Sequence, residues 1–82
     1  MNYYVYVIRT IKKPVITYVG WTNNLKKRIA KHNSGTGAKF TRGRKWRLLY
    51  FESLNSKNEA MKREYAIKKN KKIRLQFRLN TK

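Results

Sequence analysis

The 82-residue chain has no cysteine and only three acidic residues. The absence of cysteine excludes disulfide bonds and zinc–thiolate sites. No apolar run approaches the ~20 residues of a membrane-spanning helix, and the N-terminal segment does not have the pattern of a secretory signal. We therefore expect a cytoplasmic protein that makes no membrane contact. Its length predicts a single domain over 1–82, with a core at 3–70 and a basic tail at 71–82.

The chain has 22 lysine and arginine residues and three acidic residues, which gives a net charge of +19. Such a charge favours polyanions, and each contact of Lys or Arg with a phosphate also releases counterions. The chain shows no basic amphipathic helix with a broad apolar face, as an anionic membrane surface would require. Nucleic acid is therefore the expected partner, and a lysine excess that only keeps the protein soluble is the alternative.

The pattern predicts five elements: strands at Tyr3–Arg9, Val15–Val19 and Trp46–Glu52, and helices at about 22–33 and 58–70. The strands are rich in aromatic and β-branched residues. The second helix follows a capping box formed by Ser56 and Glu59. The order β-β-α-β-α predicts an α+β fold, a small three-stranded antiparallel sheet flanked by helices. A flexible glycine-rich loop is expected at 34–45, and the tail fits either a short helix or a terminal strand.

Glu64 is the acidic residue that this pattern explains least. It shares a helix face with Ala60 and Ile67, because positions three and four apart are neighbours on a helix. A half-buried carboxylate costs free energy unless it meets a cation, a hydrogen-bond donor or a metal. Glu59 belongs to the capping box and Glu52 is expected to pair with a cation. Glu64 therefore indicates a site, with a simple pair to Lys68 as the alternative.

Several motifs share the order and spacing of a known family. Tyr4-Val5-Tyr6 and Tyr18-Val19-Gly20, followed by Arg28, His32 and the Glu64 helix, resemble the GIY-YIG nuclease superfamily, in particular its small stand-alone bacterial members. The likeness covers roughly residues 3 to 70. Its most specific part is YVGWTNNLKKRIAKHNSGTGAKFT. Tyr4 stands where the first motif has glycine, a departure that concerns substrate access and the shape of the pocket.

The resemblance implies a role for each matching residue. Tyr6 would help to activate the attacking water, Tyr18 would support it, and Arg28 would bind the scissile phosphate. Glu64 would hold a single divalent metal, Mg²⁺ or Mn²⁺. His32 matches a position from which some members act on the nucleophile or its proton. Further nucleic-acid contacts are expected from five basic side chains: Lys39, Arg42, Arg44, Lys45 and Lys68.

The chemistry of these groups fits the implied roles. Arginine offers permanently charged, bidentate donors to phosphate, and Mg²⁺ accepts one carboxylate while it retains several waters. A tyrosine has an ordinary pKa of about 10 and needs help to act as a base. Arg28, the metal and the overall positive charge are all expected to provide that help. The hairpin and its covering helix are expected to gather these groups on one side of the sheet.

The leading hypothesis is a metal-dependent endonuclease that hydrolyses phosphodiester bonds in DNA, with DNA repair or recombination as its setting. The expected location is the cytoplasm, with association with the nucleoid as the alternative. The alternative is a catalytically inactive basic module that binds DNA or ribosome-associated RNA. In that case Tyr6 and Tyr18 are packing residues and His32 is a core residue. A structural, ribosomal-protein-like role explains the charge but not Glu64.

Overall fold

The computed structural model describes residues 2–79 and shows three strands and three helices among them. The strands are β1 (Tyr3–Thr10), β2 (Thr17–Thr22) and β3 (Trp46–Leu54); the helices are α1 (Leu25–Ser34), α2 (Lys57–Lys69) and α3 (Lys71–Leu79). The predicted α+β order is confirmed. The undecided tail is helical over 71–79, and its last residues, 80–82, lie outside the described part. Within 2–79, every helix is too short or too polar to cross a bilayer.

The sheet has the order β2-β1-β3, and both pairs of neighbours are antiparallel. β1 lies in the centre, and its residues from Val5 to Ile8 are completely buried. Because helices cover both faces, this strand has no polar alternation, as expected for a strand enclosed on two sides. A register shift between Val7 and Ile8 interrupts the pairing with β3. β2 is an edge strand, which becomes important for the site.

Two hydrophobic clusters lie on opposite faces of the sheet. On one face, valines of β1 and β2 pack against Ala60 and Ile67 of α2. On the other, Tyr6 and Ile8 pack with Trp46 and the partly buried apolar residues of α1. The two helices therefore cover different faces, although the sequence predicts that the site groups lie on one side of the sheet.

The helix ends follow the predicted capping chemistry with small shifts. Asn24 is the N-cap of α1, since its side chain accepts a hydrogen bond from the Lys27 amide at 3.1 Å. Gly35 ends that helix at a φ of 85°, a left-handed conformation that glycine adopts without a steric penalty. Ser56 caps α2, and the Glu59 carboxylate accepts from the Asn55 amide at 3.2 Å. Glu59 thus has the structural role expected of it.

The glycine-rich loop after α1 is anchored, although the sequence suggested a flexible segment. It contains a 3₁₀ turn at Lys39–Thr41. The indole N–H of Trp46 donates to the Thr41 carbonyl at 3.0 Å. The Asn33 side chain accepts from the Trp46 amide at 2.6 Å and donates to its carbonyl at 3.1 Å. The end of α1 and the 3₁₀ turn of the loop are therefore both fixed to the first residue of β3.

The expected pairing of Glu52 with a cation is confirmed. Arg63 of α2 donates to both carboxylate oxygens of Glu52, at 2.8 Å from Nε to Oε1 and 2.8 Å from Nη2 to Oε2. Tyr50 donates to the same carboxylate at 2.6 Å. These bonds join β3 to α2, and Arg63 holds the pKa of Glu52 below its ordinary value.

We predict that Glu52→Gln lowers the free energy of unfolding at pH 7 by about 0.5–1 kcal/mol, a modest value because solvent screens the half-exposed Arg63. Since the pKa of Glu52 is depressed by folding, this contribution is present above the ordinary carboxyl pKa and is lost as pH falls through the folded-state value. Urea denaturation at pH 7 and pH 3 measures it. A double-mutant cycle with Arg63→Gln that shows no coupling at pH 7 would contradict the assignment.

Candidate active site

Tyr6 and Gly20 face each other across the two strands that carry the tyrosine motifs. They are paired residues in the register of β1 and β2. A Cβ atom added to Gly20 would lie 2.7 Å from Cζ of the Tyr6 ring and would collide with its hydroxyl. The motif Tyr18-Val19-Gly20 therefore requires glycine at its last position, because any side chain there would displace the phenol of Tyr6. Tyr18, two residues earlier on β2, points to the same face.

His32 lies behind Tyr6, on the α1 face that covers this side of the sheet. Its side chain is completely buried. Its Nε2 atom is 2.7 Å from the Tyr6 hydroxyl, and its Nδ1 atom is 2.8 Å from the hydroxyl oxygen of Thr41. The edge of the imidazole meets the Tyr18 ring, with centroids 5.2 Å apart. The two tyrosines and the histidine are thus brought together as predicted.

A cavity of about 410 Å³ opens beside these rings. Tyr6, Tyr18, Arg28 and Glu64 all contribute to its lining. Arg28 comes from α1, one turn before His32. Its Nε atom is buried and has no hydrogen-bond partner among the described residues. The guanidinium therefore has a donor available for an oxygen ligand, and a buried donor without a partner is costly to maintain.

Glu64 reaches this cavity from the helix on the other face of the sheet. Lys57, Glu64 and Lys68 follow one another at offsets of seven and four residues, so they form one stripe along α2. The ammonium groups of Lys57 and Lys68 lie 5.6 Å from the Trp21 ring and 5.7 Å from the Tyr18 ring, both on β2. The stripe therefore runs along the edge strand, and Glu64 enters the cavity beside it.

Glu64 has both of the environments that the sequence suggested, because it lines the cavity and also lies near Lys68. Its side chain is 21% exposed, and its Oε1 atom lies 3.7 Å from the ammonium of Lys68, one turn on. Such a long, half-exposed pair contributes little to stability. Among residues 2–79, no group of three or more acidic, histidine or cysteine side chains is arranged to hold a metal. Glu64 is therefore a single carboxylate at the cavity, not one member of a preformed cage.

The pKa values of the buried pair differ from the sequence expectation. Burial raises the pKa of Tyr6 to about 12, and the hydrogen bond and charge of Arg28 oppose this only in part. Burial also lowers the pKa of His32, and the charge of Arg28 lowers it further. Burial of the phenol therefore outweighs the effect of Arg28, which favours tyrosinate as expected. At neutral pH the pair consists of an uncharged phenol and an uncharged imidazole.

The predicted basic contacts fall into three places. Lys68 lies at the cavity, as its contacts with Glu64 and Tyr18 show. Arg44 and Lys45 instead line a cleft of about 190 Å³ together with Lys12 and Lys13 of the hairpin turn. Lys39 and Arg42 are exposed at the two ends of the 3₁₀ turn. The hairpin lysines were not singled out from the sequence, because only the fold brings that turn beside the loop.

Two further residues of the loop escaped the sequence analysis. The rings of Phe40 and Tyr18 are stacked with their centroids 5.9 Å apart, and the hydroxyl of Thr41 contacts His32. Both residues lie at the end of the stretch that resembles the family most specifically, but the resemblance assigned a role to neither of them. Tyr4, which replaces the motif glycine, packs against Phe51 of β3 at 6.2 Å and is not among the residues that line the cavity. The substitution therefore leaves the cavity itself open.

The single histidine allows a direct test of this electrostatic environment. We predict that the pKa of His32 lies below 6.5 in the folded protein. The NMR shifts of its ring protons as a function of pH measure this pKa. Because the unfolded chain then binds more protons below pH 6.5, the protein should lose stability as pH falls through that region. Arg28→Gln should raise the pKa of His32, whereas Lys26→Gln, an exposed change of equal charge on the same helix, should affect it less. Titration at or above 6.5 would refute the assignment.

Comparison with known proteins agrees with the geometry. A UPF0213 protein of Clostridium perfringens is 53% identical over 79 residues, covering 92% of this chain and 82% of that protein. A UPF0213 protein of Pediococcus acidilactici is 44% identical over 83 residues, covering 96% and 83%. The solution NMR structure of a UPF0213 protein from Bacillus halodurans matches with a TM-score of 0.55 and 42% identity over 93% of this chain and 81% of that one. The family model described as the GIY-YIG catalytic domain matches residues 2–78, and this domain implies a nuclease-type function on nucleic acid. The chain therefore belongs to the GIY-YIG family.

Proposed function

We propose that the protein is a divalent-metal-dependent endonuclease that hydrolyses phosphodiester bonds in DNA. The observation that carries the proposal is the shared cavity of Tyr6, Tyr18, Arg28 and Glu64, backed by His32. A guanidinium, a carboxylate and a phenol in contact with a base are the groups that this hydrolysis requires. We further propose that residues 1–82 act as one nuclease domain, with DNA repair or recombination as its setting.

Arg28 is the proposed ligand of the scissile phosphate. Its charge is permanent, and its planar donors match two oxygens of a phosphate. The buried Nε without a partner supports this role, because a bound phosphate oxygen would satisfy it. Transition-state charge on the phosphate would then be stabilised at a site partly withdrawn from water, where such interactions are strongest.

Tyr6 and His32 are the proposed route for the proton of the attacking water. With a pKa of about 12, Tyr6 is ionised in only about one molecule in 100,000 at pH 7, so it is a poor base alone. His32 lies 2.7 Å from its hydroxyl and can receive the phenolic proton as the phenol takes one from water. Tyr6 thus acts as a relay to a neutral imidazole. Tyr18 packs against His32 and supports the arrangement.

Glu64 is the proposed protein ligand of Mg²⁺ or Mn²⁺. One partly exposed carboxylate at a cavity of this size fits a hard ion that keeps several waters and also binds a phosphate oxygen. The long contact with Lys68 gives the carboxylate freedom to rearrange. When bound, the ion supplies Lewis-acid stabilisation of the phosphate and of the leaving oxygen. The family is typically dependent on divalent metals.

The second candidate is a catalytically inactive module that binds nucleic acid through its basic surface. The contact of Glu64 with Lys68 favours it, because that ion pair gives the carboxylate a partner without any metal. Both candidates predict binding to nucleic acid, so cleavage and its dependence on Glu64 separate them.

We predict that wild-type protein nicks supercoiled DNA with Mg²⁺ or Mn²⁺, and that Glu64→Gln reduces the rate at least ~100-fold while DNA binding persists, since the loss falls on transition-state stabilisation. Glu59→Gln is the matched control, an acid-to-amide change on the same helix, and should retain activity. Enhanced water-proton relaxation by Mn²⁺ measures metal binding separately from cleavage. Equal behaviour of wild type and Glu64→Gln in both assays would establish the binding-module candidate instead.

We predict that DNA affinity falls linearly with salt on a double-logarithmic plot, with a slope of about −0.9 per phosphate contacted on duplex DNA. Removing one phosphate contact by Arg42→Gln or Arg44→Gln should reduce the slope by about one. Fluorescence anisotropy at several salt concentrations measures it. Arg63→Gln serves as the control, because Arg63 is engaged with Glu52. A response that is flat with salt would refute electrostatic binding.

A further inference from the structure

We propose that Thr41 is a positioning residue that fixes the tautomer of His32 and, through it, the direction of the hydrogen bond from Tyr6. The functional consequence rests on the nuclease activity proposed above. The tautomer itself is a property of the folded protein and is measured without any substrate.

The hydroxyl of Thr41 has two neighbours but only one proton. Its oxygen lies 2.8 Å from the carbonyl oxygen of Ala38 and 2.8 Å from Nδ1 of His32. The carbonyl can only accept, so the threonine proton must point toward Ala38. The same oxygen is then left as an acceptor for the imidazole. Nδ1 of His32 must therefore carry a hydrogen.

This assignment decides the state of the opposite ring nitrogen. In a neutral imidazole one nitrogen donates and the other accepts, so a protonated Nδ1 leaves a lone pair on Nε2. Nε2 is 2.7 Å from the Tyr6 hydroxyl, which must then be the donor. A chain of three bonds results, from Tyr6 to His32, from His32 to Thr41 and from Thr41 to Ala38. The other tautomer would place two acceptors against each other at Thr41, a buried mismatch of appreciable cost.

The backbone holds Thr41 firmly in this place. The residue is completely buried and ends the 3₁₀ turn. Its amide donates to the Ala38 carbonyl at 3.1 Å, and its carbonyl accepts from the Trp46 indole at 3.0 Å. Gly37 permits the loop to close, because a Cβ there would lie 2.7 Å from Nδ1 of His32. The loop therefore presents an acceptor of fixed position to the imidazole.

This series of hydrogen bonds sets the direction in which protons move. The attacking water gives a proton to the Tyr6 oxygen while the Tyr6 proton passes to Nε2 of His32, and Thr41 stabilises the resulting imidazolium at Nδ1. The water oxygen forms the new bond to phosphorus and the bond to the leaving oxygen breaks. The leaving oxygen is protonated by solvent, and the proton on His32 returns to solvent through Tyr6. With the other tautomer, Nε2 would already hold a hydrogen and could accept none.

The experiment uses the fact that the chain has one histidine. Long-range ¹H–¹⁵N NMR at pH 8 reports which imidazole nitrogen carries the hydrogen, and we expect Nδ1–H in the wild type. Thr41→Val keeps the volume but removes the acceptor, so the Nε2–H tautomer should become populated. The cleavage rate constant should then fall about 10–100-fold with little change in KM, the size of the loss found for the partners that orient metal-ligating histidines. Thr41→Ser retains the hydroxyl and should preserve both the tautomer and the rate.

The outcomes separate this inference from the proposed function. A wild-type spectrum of the Nε2–H form overturns it, whether or not any variant folds. It is also overturned if Thr41→Val folds and keeps the Nδ1–H form. If the tautomer shifts and the cleavage rate stays at the wild-type value, the positioning role in catalysis is overturned and the nuclease proposal still stands. Absence of cleavage by the wild type, together with an Nδ1–H spectrum, refutes the nuclease proposal and leaves the tautomer assignment intact.

Discussion

The buried hydrogen bond between Tyr6 and His32 is the interaction on which the site depends, because it joins the central strand to α1 at the floor of the cavity. Its partners are completely buried, so each must find its hydrogen bond within the protein. Gly20 makes the bond possible by leaving room for the phenol, and Thr41 completes it on the far side of the imidazole. Burial then keeps both groups neutral, which turns a pair of titratable side chains into a donor and an acceptor.

The edge strand β2 determines where the chemistry can take place. The two helices cover opposite faces of the sheet, and a cavity between their side chains can form only where the sheet ends. Arg28 approaches this edge from one face and Glu64 from the other, with the rings of β2 between them. A long, flat anion such as a nucleic-acid backbone can approach an open edge far more readily than a closed pocket. The net charge of +19 favours the association of such an anion with the protein.

Much of the architecture could be predicted because it depends on local patterns. β-Branched and aromatic runs gave the strands, and the capping box gave the start of α2 close to its observed place. The joint placement of Tyr6, Tyr18, Arg28 and Glu64 was expected from the motif resemblance. The pKa of Tyr6 could not be predicted in the same way. Its value depends mainly on how far burial removes water from the phenol. The cations can be read from the sequence, but the extent of this burial cannot.

The sequence by itself determined the α+β order, the excess of positive charge and the candidate site residues, because periodicity, composition and motif spacing can be read along the chain. Only the tertiary structure decided that α2 covers the face opposite α1, that Glu64 enters the cavity past β2, and that Thr41 contacts His32. Each of these depends on the packing of segments distant in the chain. Their contacts follow from shape and burial in three dimensions, which a pattern along one dimension does not contain.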